Sequence, residues 1–264
     1  MTIADRDELL THTGDDPFIR YDVRLLPGYP PVRLGRAAGV VRLPMMRRAP
    51  HLTVIGPADD VDRLLQWYGS NGLPDGVRGV SVEQSQQEAL RRSFDVGRGG
   101  DWDWMWTKTA PARVEEEDLL LELDDGRDAR DVLRLNEIGS PTAESMPGEG
   151  MTEHWVGVRH EGDLVAAAAV HRTSGGAQHL TGIVVHPEHR GRRLGLAMTA
   201  HLTRRAVEQE GVCTLGMYSD NARARALYEG LGYRVAHSWA SRAVRLRRDD
   251  DPVRGEGSSE AGDS

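Results

Sequence analysis

The spacing of apolar positions changes its period several times between residues 51 and 94. His51-Leu52-Thr53-Val54-Ile55-Gly56 is a short apolar run stopped by Pro57, the pattern of a buried strand. Asp59 and Asp60 then open a stretch in which Val61, Leu64, Leu65 and Tyr68 recur at i, i+3, i+4 and i+7. That spacing predicts a helix with one buried face. Residues 77–82 predict a second strand and 84–94 a second helix. Strand, helix, strand, helix predicts an α/β unit over residues 17–100. Gly97-Arg98-Gly99-Gly100 reads as the linker that closes it, and the polar residues 1–16 are expected to be loose.

After the glycines, Asp101-Trp102-Asp103-Trp104-Met105-Trp106 alternates, so its three tryptophans share one face of a strand. Packing between a sheet and its neighbour is the expected use of that stripe, ahead of an aromatic binding platform. Helical spacing runs from 115 to 138 through Leu119, Leu120, Leu123, Ala129, Val132, Leu133 and Leu135. A loop punctuated by Pro and Gly follows at 140–151. Residues 155–159 and 164–171 predict a hairpin about Glu161-Gly162-Asp163. The next strand, 179–185, is closed by Pro187, and a glycine-bearing turn leads into a helix over 194–210. Its ladder is Leu194, Ala197, Met198, Leu202 and Ala206, with Gly211 as its stop. A strand at 212–217 precedes a last helix that begins near Asp220-Asn221. Ala224, Leu227, Tyr228 and Leu231 line one side of it, and Gly232 ends it.

Composition narrows the function classes. The 264 residues carry 33 basic and 41 acidic side chains, a net charge of −8. Much of that charge sits in residues 249–264, where six acids face Arg254 in a Gly- and Ser-rich stretch expected to be disordered. No basic face is clustered as nucleic acid would require. A single cysteine excludes an internal disulfide framework and any multi-cysteine metal site, and no metal is expected. The longest apolar run, 164–170, is far short of the roughly 20 residues of a membrane helix. The first residues lack the basic flank and apolar core of a signal peptide. The expectation is a soluble, cytoplasmic protein.

Chemistry concentrates in His189-Arg190-Gly191-Arg192-Arg193-Leu194-Gly195. A glycine-bearing turn feeding a helix presents unpaired backbone N–H groups and the positive end of the helix dipole, and three arginines add full charges. Such a turn is suited to a pyrophosphate, although a solvated basic cap has the same composition. With its surroundings it resembles the GCN5-related N-acetyltransferase (GNAT) superfamily, whose loop is Arg/Gln-x-x-Gly-x-Gly/Ala after a strand ending in hydrophobic-x-Val-x-Pro. Ile183-Val184-Val185-His186-Pro187 matches the strand end, and Arg190, Gly191, Arg192, Arg193, Leu194 and Gly195 align with the loop. Arg193 stands where the family has its first glycine. Tyr218-Ser219-Asp220-Asn221 and Ala226-Leu227-Tyr228-Glu229-Gly230-Leu231-Gly232-Tyr233 match the downstream signature.

The resemblance implies a GNAT-like mixed twisted sheet with flanking helices over residues 101–248, preceded by a smaller α/β domain. It also implies a bulged strand that splays from its parallel neighbour to admit pantetheine. Acetyl-CoA is the implied co-substrate and an amine the implied acceptor. Its implied site is Ile183, Val184, Val185, the turn Arg190 to Gly195 with Leu196, and Asn221. Asn221 and Tyr228 are seven residues apart, about two helical turns, so both can face one way. Aminolysis of a thioester expels a thiolate, which a phenol at the sulfur can protonate. Tyr228 is the candidate acid, and its alternative is a core tyrosine with a satisfied hydroxyl.

Some relatives carry a glutamate base five residues before the asparagine, where this chain has Gly216. His179 is the candidate base, with His154, Glu153 and Glu149 as alternatives, or as groups that attract a cationic amine. Ala89-Leu90 and Trp102 match Ala226-Leu227 and Trp239 at one constant spacing, which leaves open that the first unit is a degenerate, non-catalytic copy of the second. A non-catalytic acyl-CoA-binding sensor and a transferase acting on protein N-termini stand as the other functional readings.

Overall fold

A computed structural model describes residues 2–43, 49–141 and 145–247. The chain opens with α1 (Arg6–His12), capped by the Asp5 carboxylate on the Glu8 N–H, and α2 (Pro17–Asp22), capped by Asp16 on the Ile19 N–H. Residues 1–16 were expected to be loose. Instead Ile3, Leu9 and Leu10 are buried and join Phe18 and Ile19 against Trp104 and Trp239 of the sheet. Two capped helix starts and these apolar residues supply the burial that the surrounding polar sequence conceals.

The first half continues with β1 (Val32–Leu34), β2 (Ala37–Arg42), β3 (His51–Ile55), α3 (Ala58–Asn71), β4 (Gly79–Glu83), α4 (Gln87–Ser93) and β5 (Phe94–Thr107). A 3-10 turn at Glu115–Leu119 leads to β6 (Leu121–Leu123), α5 (Ala129–Gly139), β7 (His154–His160) and β8 (Asp163–Arg172). β9 (Gln178–Val185), α6 (Leu194–Glu210), β10 (Cys213–Tyr218), α7 (Ala222–Gly230) and β11 (Arg234–Leu246) complete the described chain. The acidic stretch 249–264 lies outside the described residues.

The helix expected over 115–138 is replaced by the 3-10 turn, β6 and α5. The Asp124 carboxylate accepts the N–H groups of Gly126 and Arg127, a local alternative to helical bonding, and Leu121–Leu123 pairs with β7 instead. Glu161 and Gly162 both have positive φ between His160 and Asp163, as a two-residue hairpin turn requires.

Among the described residues, eleven strands form one sheet in the order β1-β2-β3-β4-β11-β5-β10-β9-β8-β7-β6. The pairs β3–β4 and β9–β10 are parallel and the rest antiparallel. The order hairpin, strand, helix, parallel strand, helix, long strand therefore occurs twice, and the two long strands are exchanged. β5 pairs with β10 of the second half, and β11 with β4 of the first. Trp102 and Trp239 lie directly opposite each other where β5 and β11 meet.

This exchange corrects the reading of 97–100 as a linker, since those residues are the middle of a strand. A Cβ on Gly99 would overlap the Ser241 carbonyl, so glycine here permits close strand approach. The tryptophan stripe is packing, as expected: Trp104 is fully buried, meets Phe18 edge-on at 5.5 Å and donates to Asp22 at 3.0 Å. On the other face α6 and α7 cover Leu180, Cys213, Leu215 and Met217.

Candidate acyl-transfer site

Between β9 and β10 the sheet opens. The two strands pair only at His179 with Thr214 and Leu180 with Leu215, and no pairing continues toward Val185 and Tyr218. β9 is also bulged. Against β8 the register slips between Ala167/Val184 and Ala169/Thr181, so Gly182 and Ile183 together oppose Ala168. Gly182 sits at φ +59, a conformation that glycine takes without cost. The bulge takes the backbone around Ile183 out of the regular ladder at the mouth of the opening.

At the end of β9 a 3-10 turn, Pro187–His189, hands the chain to Arg190 and then to α6. The first N–H with a partner inside α6 is Ala197, bonded to the Arg193 carbonyl at 3.0 Å. No side chain among the described residues caps the earlier ones, so Leu194, Gly195 and Leu196 present open N–H groups at the positive end of a 17-residue helix. Arg193 lies at φ 58 and ψ 11, left-handed backbone that explains the glycine of related loops.

Two of the three arginines of the turn have partners of their own. Arg193 is largely exposed and pairs with Glu116 at 3.1 Å. Arg190 donates to the carbonyls of Gly139 at 2.9 Å and Val185 at 3.3 Å, tying the turn to α5 and β9. Arg192 is exposed and makes no hydrogen bond or ion pair to the described residues, as does the neighbouring backbone at Gly191.

Asn221 caps α7, its side-chain oxygen accepting the Ala224 N–H at 3.0 Å. The helix is anchored from below by Asp103, a fully buried carboxylate on β5 that Arg225, Ser219 and Ser238 all approach, the last two at 3.0 and 2.7 Å. A strand of the first half thus holds the helix that carries Tyr228. Tyr228 is 8% exposed, lies 6.0 Å from the Tyr233 ring, and its hydroxyl makes no hydrogen bond to the described residues. Burial pushes its pKa up to about 12, so the proton stays on the oxygen at neutral pH. Tyr233 differs, for its hydroxyl meets Thr203 at 2.8 Å inside the core.

Strand alternation puts Thr214, Gly216 and Tyr218 on the face away from α6, where Gly216 and Tyr218 are exposed. His179 lies beside them. Its Nδ1 is 2.9 Å from the Thr214 hydroxyl, and a Cβ placed on Gly216 would fall 3.9 Å from its Nε2 and 3.6 Å from the Trp102 ring. The side chain missing at 216 is therefore replaced in space by His179. Burial first, and then the charge of Arg42, push the His179 pKa down to about 4.

The alternative bases lie elsewhere. Glu153 is bound to Arg172 at 2.5 Å. His154 has Arg205, Glu122 and His201 as its charged neighbours, with burial holding its pKa below the usual histidine range. Glu149 lies in the loop before β7, its N–H bonded to the Met146 carbonyl. Sequence reasoning missed Thr214, His171 and the opening past Tyr218. The last is a groove of about 520 Å³ lined by Gln84, Gly100, Asp101, Tyr218, Ser219 and Asp220, to which both halves contribute. Alternation along β10 was the available signal for Thr214.

An opened pair of parallel strands beside an uncapped helix start defines a class. Residues 117–233 match the Acetyltransferase (GNAT) family, the same family the sequence motifs resemble. The chain is 28% identical over 194 residues to a mycothiol acetyltransferase of Kocuria rhizophila; the match covers 66% of this chain and 59% of that protein. The chain thus spans less than two thirds of that relative's length.

Among solved structures, a GCN5-related N-acetyltransferase from Kribbella flavida superimposes with a TM-score of 0.54 at 16% identity, over 82% of this chain and 90% of that one. A GNAT-family acetyltransferase from Colwellia psychrerythraea gives 0.53 at 16% identity, over 93% and 99%. At that identity the likeness is one of fold. No helix among the described residues is long and apolar enough to cross a membrane, and no group of ligating side chains among them could hold a metal ion.

Proposed function

We propose that the chain transfers an acetyl group from acetyl-CoA to a primary amine, with the cofactor lying along the opening between β9 and β10. The observation that carries this reading is the conjunction of that opening, the Gly182 bulge and the uncapped start of α6. Together they offer an extended slot in the sheet and, at its end, backbone N–H donors for a pyrophosphate. Ile183, Val184 and Val185 would hold the pantetheine and acyl oxygen by their backbone. Gly191, Arg192, Leu194, Gly195 and Leu196 would hold the phosphates, with Asn221 flanking them. Arg190 and Arg193 shape the turn through Gly139, Val185 and Glu116.

When bound, acetyl-CoA supplies an acyl thioester whose carbon accepts the amine and whose sulfur departs. Tyr228 gives its hydroxyl proton to that sulfur. His179, neutral at pH 7, takes at Nε2 the proton that the amine nitrogen sheds as its bond to carbon forms. One proton is given and one taken, so exchange with solvent restores both side chains.

The first half reads as a non-catalytic copy of the same unit. Only Gly56 and Pro57 separate β3 from α3, where eight residues separate β9 from α6. The start of α3 is also covered by the β1–β2 turn, since the Arg36 N–H bonds Asp60 at 2.7 Å. Its contribution is structural, through Asp103, and lies on the acceptor side, through Gln84, Gly100 and Asp101.

Calorimetry with acetyl-CoA, followed by a screen of amines for release of free CoA with mass detection of products, tests the proposal. The screen includes amines related to mycothiol, the compound in the relative's name. Saturable binding with amine-dependent CoA release and acetylated product is expected. Binding without release for any amine would instead make the chain an acyl-CoA-binding module, and no binding would remove the proposal.

A further inference from the structure

We infer that Thr214 fixes the imidazole tautomer of His179, and so decides which ring nitrogen can accept a proton from the acceptor. The argument begins with a count of hydrogens. The Thr214 hydroxyl lies 3.2 Å from the Gln178 carbonyl oxygen, which can only accept, so the single hydroxyl proton points there. The same oxygen lies 2.9 Å from Nδ1 of His179. With its proton committed, it can only accept from that nitrogen, and Nδ1 therefore carries the hydrogen. In a neutral ring this leaves Nε2 with its lone pair, on the side of Gly216.

The surroundings hold this arrangement in place. Thr214 is fully buried, and its backbone is in parallel register with His179. On the other side the His171 ring stacks on His179 with centroids 4.9 Å apart and planes 22° apart. His171 is itself buried, with no hydrogen-bond partner at Nε2 among the described residues. Arg42 of β2 is the cation that faces His179, and its ion pair with Asp22 keeps it there. Burial and the charge of Arg42 disfavour an imidazolium, so the tautomer is the property that decides reactivity. Thr214 acts through His179 and is a positioning residue. Its link to turnover rests on the reading of His179 as the base, whereas the tautomer itself does not.

Long-range nitrogen–proton NMR correlation on the full chain tests the inference, with the His179 signals assigned by their loss in His179→Gln. Wild type should show the neutral Nδ1–H pattern at pH 7. Thr214→Val, nearly the same shape without an acceptor, should lose that pattern, and Thr214→Ser should restore it. In the amine assay Thr214→Val should lower the rate of the chemical step by about 10- to 100-fold with acetyl-CoA affinity unchanged, and Thr214→Ser should regain it. An Nε2–H pattern in wild type, or an unaltered pattern in folded Thr214→Val, would overturn the inference. The expected tautomer with full activity in His179→Gln would leave the tautomer standing and remove the base from the proposed function.

Discussion

Tyr228→Phe separates chemistry from packing more cleanly than any other single change. The substitution keeps the ring, its contact with Tyr233 and its place in the core beneath α7, and it deletes one oxygen. That oxygen has no hydrogen bond to the described residues, so its removal should cost no stability. A satisfied core hydroxyl would instead cost about 1 kcal/mol. If the hydroxyl protonates the departing sulfur, the chemical step should slow by about 10²–10⁴-fold, a barrier increase of about 3–5 kcal/mol. Acetyl-CoA affinity should hold, because the lost interaction exists only as the bond to sulfur breaks. Melting temperature, calorimetry and single-turnover CoA release on one preparation give all three quantities. Full activity in a folded Tyr228→Phe would refute the acid assignment. A clear drop in melting temperature with unchanged rate would make Tyr228 a core tyrosine.

Three further outcomes follow from the same geometry. Gly195→Val should fold, since a Cβ there meets only Val185 at 3.9 Å, but should weaken acetyl-CoA binding at least tenfold by calorimetry. Arg193→Gly relieves left-handed backbone at the cost of a largely exposed pair with Glu116, so it should raise stability by about 1 kcal/mol and leave acetyl-CoA affinity unchanged. A tenfold loss of affinity would show that the guanidinium reaches phosphate. His237 is pulled down by burial but raised further by Asp16 and Glu83, to a pKa of about 9. Its stabilising charge is therefore fully present below about pH 6.5 and is lost as pH rises through about 9. Thermal melts should fall across that window in wild type, with a smaller slope in His237→Gln.

Local pattern was enough to read much of the second half. The ladder over 194–210 became α6 within its predicted bounds, and Gly211 ended it in left-handed backbone as a C-terminal glycine does. The turn before it, Asn221 at a helix start and Tyr228 on that helix were legible because each depends on neighbours a few residues away. Where a local competitor was overlooked, as with Asp124 at 124–127, the predicted helix gave way to a turn and a strand.

What needed the tertiary structure was everything set by strand partnership. Periodicity marks a strand but says nothing of what lies beside it, so Gly97 to Gly100 passed for a linker rather than the centre of an exchanged strand. The same limit hid the buried Asp103 beneath α7, the ion pair that takes Arg193 away from the turn, and the replacement of a side chain at Gly216 by His179. Each joins residues far apart in sequence, and hydrogen bonding and burial choose such partners only once the sheet has assembled. Local spacing was enough for the α6 ladder and the turn before it, whereas the exchange of β5 and β11 and the partners of Asp103, Arg193 and His179 exist only in the assembled sheet.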